Sequence, residues 1–107
     1  MKNQVISEVS IIPVGTGDTG ISHYIAACLE VLEGRGDLSY RLTPMGTVIE
    51  GPLDTVMEVT RQMHEIPFSK GASRVVTVIK IDDRRDKPST MADKIESVLK
   101  QLPSVKT

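Results

Sequence analysis

Tyr40–Gly51, YRLTPMGTVIEG, holds two short extended runs around Thr43-Pro44-Met45-Gly46. Proline presets the first turn angle and a following glycine can take positive φ, so Leu38–Thr43 and Thr47–Glu50 predict an antiparallel hairpin. The reversal bears on an upstream motif. Gly15-Thr16-Gly17-Asp18-Thr19-Gly20 fits GxGxxG between a strand and a helix, the setting of a dinucleotide site. That fingerprint requires a parallel sheet whose second strand ends in an acidic residue on the ribose, and a hairpin at Pro44-Met45-Gly46 removes that strand. A P-loop is excluded as well, because Ile21 stands where its phosphate-binding lysine would be. Two readings of the glycine loop remain: amides at a helix N-terminus that hold a polar edge or anion, or a flexible turn with no ligand.

Outward from the hairpin, turn residues alternate with periodic segments. Val5, Val9 and Ile11 alternate with Ile6, Glu8 and Ser10 up to Pro13, which predicts a first strand. From Ile21, the apolar positions Tyr24, Ile25, Cys28, Leu29 and Leu32 carry helical spacing, with Gly34 and Gly36 as left-handed stop positions. A second helix follows Gly51-Pro52 through Leu53, Val56, Met57, Met63 and Ile66, with Pro52 in its first turn and Pro67 closing it. Arg74–Asp82 (RVVTVIKID) is the strongest β-branched run and predicts a central strand. Ser89 or Thr90 caps a last helix, Thr90 with Asp93 forming a capping box, and Met91, Ile95, Val98, Leu99 and Leu102 make its apolar stripe.

The order βαββαβ plus a terminal helix predicts one α+β domain over residues 1–107. It is a ferredoxin-like sandwich with a four-stranded antiparallel sheet, two helices on one face and an extra C-terminal helix. Alternation leaves Ile6, Ile12, Val76 and Val78 on the other face, and a wide exposed apolar patch is uncommon on a monomer. Homo-oligomerisation through the sheet is the expectation.

A chain of 107 residues with a formal net charge of -1 gives no field to gather nucleic acid or anionic membrane. MKNQVISEV has no apolar signal core, and no segment approaches the roughly 18 apolar residues of a membrane span, so a cytoplasmic location is expected. Its single cysteine, Cys28, allows neither an intrachain disulfide nor a four-thiolate zinc site. On the apolar stripe of the first helix, Cys28 reads as a small hydrophobe with a raised pKa. His23 and His64 fall in no metal-ligand pattern, so no metal is predicted, and Met45, Met57, Met63 and Met91 read as core filler. Lys80–Lys87 alternates charge sign; it is either a solvated loop or a place where Arg84 and Arg85 meet carboxylates across a subunit interface.

One polar group stands out. Thr43, Thr47 and Glu50 on the hairpin, with Ser22, His23 and Tyr24 at the helix start, present hydroxyls and a carboxylate suited to an aminopyrimidine, whose amine donates and whose ring nitrogens accept. Strand propensity alone also explains the threonines, and Ser22 could equally serve as a helix cap.

PVGTGDTGISHYIAA, YRLTPMGTVIEG and GASRVVTVIKIDDRRDK together resemble the thiamine-binding, YkoF-like family of small ferredoxin-like proteins. The resemblance runs through nearly the whole chain. It implies a homodimer or homotetramer, no catalysis, no cofactor, and binding of thiamine or its hydroxymethylpyrimidine part. It also implies a pocket built from Thr16, Gly17, Ser22, Tyr24, Thr47 and Glu50. Aromatic residues are only Tyr24, Tyr40 and Phe68, so a cage for the thiazolium cation is hard to assemble in one subunit. A site shared between subunits, or recognition mainly of the pyrimidine, removes the difficulty. Two rival readings remain. One is a cofactor-free isomerase or oxygenase with an active site between subunits, using His23 and Glu50; the other is a purely oligomeric interaction module.

Overall fold

The computed structural model describes residues 4–107. Its elements are β1 (Gln4–Pro13), α1 (Ser22–Leu29), β2 (Ser39–Thr43), β3 (Gly46–Pro52), α2 (Leu53–Ser69), β4 (Val75–Asp82) and α3 (Met91–Gln101). The strands lie in the order β2-β3-β1-β4, and all three neighbouring pairs are antiparallel. This is the expected βαββαβ sandwich with a further C-terminal helix.

Register assigns each strand residue to a face. Val9 faces Thr47 and Ser7 faces Ile49 across β1 and β3, so these residues share the helix side. There Val5, Val9, Ile11 and Ile49 close the core with Cys28, Leu32, Val56, Val59 and Met63. The alternate set, including Ile6, Glu8, Ile12, Val48, Glu50, Val76 and Val78, lies on the face that neither α1 nor α2 covers. Ser7, a polar residue on the core side, is satisfied by donating its hydroxyl to Ile49 O at 3.1 Å.

Four local expectations change. β4 is an edge strand rather than a central one. Its run is apolar on both faces, which imitates a doubly buried strand, but the second crossover sets it outside β1. The second helix continues through Pro67 to Ser69. Proline cannot donate to the carbonyl four residues back, Met63 O, and the Cys28 thiol donates there instead at 3.4 Å. Gly46 does not have positive φ; a Cβ at this position would lie 3.0 Å from Val9 O and 3.1 Å from Ser10 Oγ, so closeness to β1 is what favours glycine. At the end of the first helix Gly34 has φ of 74°, whereas Gly36 is not left-handed.

The capping box of α3 forms as expected. Asp93 N donates to Thr90 Oγ1 at 3.0 Å and Thr90 N to Asp93 Oδ2 at 3.1 Å. The charged loop before it satisfies itself: Arg84 forks onto Asp86 and Arg85 onto Asp83. The Arg84 hydrogen bond holds the Asp86 carboxyl down at about 2. Among the described residues no helix is long and apolar enough to cross a membrane.

Candidate ligand cavity between helix α1 and the β2–β3 hairpin

A cavity of about 460 Å³ opens where α1 passes over the hairpin tip, on the helix side of the sheet. Helix α1 contributes Ser22, Ile25, Cys28 and Leu29, which recur at the spacing of one helical face. Strand β1 contributes Val9 and Ile11, and the tip contributes Leu42 to Thr47. The tip is held against β1 because Ser10 Oγ donates to Met45 O at 3.1 Å, and Thr43 Oγ1 steadies the turn by donating to Gly46 O at 2.8 Å. Its apolar end stays open to solvent, with Met45 83% and Leu42 60% exposed.

The wall is mostly apolar, with hydroxyls from Ser10, Ser22, Thr43 and Thr47, and among the described residues no Asp, Glu, Lys, Arg, His or aromatic residue lines it. Thr47 is only 4% exposed, yet it makes no side-chain hydrogen bond among the described residues. Among the described residues no fully enclosed side-chain N or O atom is left unpaired, so the Thr47 hydroxyl is not fully enclosed. Ser22, at the start of α1, is exposed at the rim, and its side chain does not cap the helix.

Cys28 lines the same space. Burial lifts its thiol from an ordinary 9.0 to about 11, and that thiol occupies the carbonyl left open by Pro67. At pH 8 about one thiol in a thousand is then ionised, against about one in ten at the ordinary value. Ellman's reagent is therefore expected to modify Cys28 in the folded chain at less than about a hundredth of the rate in denaturant. Equal rates would show that the thiol is open to solvent.

The structure brings Ser22, Thr43 and Thr47 to one cavity and leaves Thr16, Gly17, His23, Tyr24 and Glu50 outside its wall. Glu50 is on the opposite sheet face, paired across the strands with Ile6 and Ser39. Tyr24 is buried on another side of α1, its ring centroid 4.2 Å from that of His23. Thr16 and Gly17 are in the preceding loop, where Thr16 Oγ1 donates to Asp18 O and Gly17 has φ of 80°. Asp18 Oδ1 accepts from Gly20 N at 3.0 Å, an Asx turn that leads the chain into α1. Sequence reasoning missed the apolar lining from Ile25, Leu29 and Leu42; a helical stripe of this kind has the same pattern whether it packs a core or borders a void.

A family model described as thiamine-binding protein matches residues 7–99. The UPF0045 protein YqgV of Bacillus subtilis is 50% identical over 100 residues, spanning 91% of this chain and 96% of its own. A UPF0045 protein of Methanothermobacter thermautotrophicus is 39% identical over 99 residues, spanning 92% and 99%. The crystal structure of MJ1052 from Methanocaldococcus jannaschii superposes with a TM-score of 0.80 at 35% identity, covering 90% of this chain and 96% of that one. With the match spanning most of the sandwich, this chain belongs to the thiamine-binding protein family.

Proposed function

We propose that this chain is a non-catalytic binder of thiamine or its hydroxymethylpyrimidine part in the cytoplasm, and that the ligand occupies the cavity between α1 and the hairpin. The observation that carries the reading is the hydroxyl of Thr47, a residue only 4% exposed, which makes no side-chain hydrogen bond among the described residues and lines a mostly apolar wall. A hydroxyl at a mostly apolar recess has few competing partners, and a ligand that pairs with it gains a hydrogen bond shielded from water. An aminopyrimidine offers both a donor and acceptors to such a group. The volume lies in the range of about 300–1,000 Å³ usual for small-molecule sites, and the family match supports a ligand of the thiamine kind.

The same wall argues for orientation. A quaternary thiazolium needs a carboxylate, water or aromatic faces, and among the described residues no carboxylate or aromatic side chain lines the cavity. The neutral pyrimidine enters and the cation stays at the mouth beside Ser22 and Met45. Titration calorimetry with thiamine and with hydroxymethylpyrimidine is expected to give heat with both, with affinities within about tenfold of each other. Absence of heat with either at millimolar concentration would sink the proposal.

A further inference from the structure

Met45 reads in the sequence as core filler, and the structure puts it at the opposite extreme. It is 83% exposed, more than any other large apolar side chain among the described residues, and Leu42 follows at 60%. Both line the cavity between α1 and the hairpin. Leu42 is paired across the strands with Thr47, and Val9 faces Thr47 from the other side, so the hydroxyl proposed to meet the ligand stands in one row between them. The inner wall is closed by Val9, Cys28 and Met63, all buried. Towards solvent the same space meets the bare side chains of the tip.

That tip is fixed at its backbone and free at this side chain. Ser10 Oγ donates to Met45 O, Thr43 Oγ1 donates to Gly46 O, and Gly46 rests close against β1. The peptide of Met45 therefore has a set position at the mouth. A methionine side chain is unbranched and adapts its rotamer to what it meets. Held by its carbonyl and extended into water beside an apolar recess, Met45 can bury apolar surface with no backbone movement.

The wall also has a chemical bias. Among the described residues that line it none is aromatic, whereas three carry sulfur: Cys28, Met45 and Met63. Sulfur lies favourably against an aromatic ring at about 5 Å. Cys28 and Met63 are packed into the inner wall, which leaves Met45 to approach from the mouth. We infer that Met45 is the residue that positions an aromatic ligand: its side chain folds over the mouth and lays its thioether on the ring, which is held between Met45 and the sulfur-bearing inner wall. The inference rests on the proposed binding of a pyrimidine in this cavity. It adds the ring's flat face to the polar edge met by Thr47 as what the site recognises.

Isotope labelling of the methionine methyl groups tests it in the full chain, with hydroxymethylpyrimidine as the probe and the Met45 signal assigned by its absence from Met45→Ala. On saturation the Met45 methyl is expected to move upfield, as a methyl over an aromatic face does, while those of Met57 and Met91, which do not line the cavity, stay in place. Met45→Ala is expected to keep the wild-type melting temperature, because the side chain is exposed, and to bind the probe about 5- to 30-fold more weakly. Met45→Leu, an apolar cover without sulfur, should recover most of that loss. If the Met63 methyl moves and the Met45 methyl does not, or if Met45→Ala binds as tightly as the wild type, the ligand sits in the cavity uncovered and this inference alone is overturned. If calorimetry gives heat and neither methyl moves, the ligand lies elsewhere, and the inference falls with the placement in this cavity. No heat with the probe removes the binding proposal and this inference together. Movement of the Met45 methyl on raising the protein concentration without ligand overturns it as well, because the tip then meets another chain.

Discussion

Ile49→Ala is expected to lower stability by about 2–5 kcal/mol, the range for removing a large aliphatic side chain from a closed core. Ile49 has no exposure, sits on the central strand β3, and packs in the cluster that joins β1 to α2. Its backbone also accepts the buried Ser7 hydroxyl, so a shift of β3 to fill the void would strain a satisfied polar group. At this chain length the loss corresponds to a fall in melting temperature of roughly 10–25 °C. Scanning calorimetry of the variant reads it directly. A change below about 1 kcal/mol would mean that the core does not centre on β3.

That core was largely legible from the chain. The period of two through Val5, Val9 and Ile11 and the three-and-four spacing through Tyr24 and Cys28 are what burial on one face requires, and both elements formed. The position of β4 was not legible. Composition reports how apolar a strand's two faces are; it does not report whether sheet neighbours or a separate partner will cover them. The strand therefore read as central, although alternation had already set Val76 and Val78 on the open face where the structure exposes them. The extension of α2 past Pro67 depended on a donor from another helix, Cys28, which no local rule supplies.

Thr47→Val should separate binding from stability. The hydroxyl makes no hydrogen bond among the described residues, so replacing it with a methyl of similar shape is expected to leave stability unchanged or raise it slightly. Loss of a hydrogen bond to a buried ligand costs about 1–3 kcal/mol, so affinity for hydroxymethylpyrimidine is expected to fall by roughly 5- to 150-fold. Denaturation and calorimetry on the same sample check both halves. Unchanged affinity would remove Thr47 from the site, and a clear loss of stability would show that its hydroxyl serves the fold.

The candidate site was only partly legible, and one part could have been read better. Thr47 and Glu50 are three positions apart on one strand, and side chains at odd spacing point to opposite faces, as they do here. Ser22 and Tyr24 are two apart on one helix, which turns them well away from each other. Spacing alone therefore argued against a single pocket holding all four. The void itself was not readable, because it depends on how far the hairpin tip stands from α1, a distance set by Gly46 resting close to β1 and by Ser10 bonding Met45 O.

A crystal grown with hydroxymethylpyrimidine tests the central claim most directly. The account expects density between α1 and the hairpin tip, with a ligand nitrogen or oxygen about 2.5–3.2 Å from Thr47 Oγ1. Ligand bound against Glu50 on the open sheet face, or no density near Thr47 at saturating ligand, would contradict it.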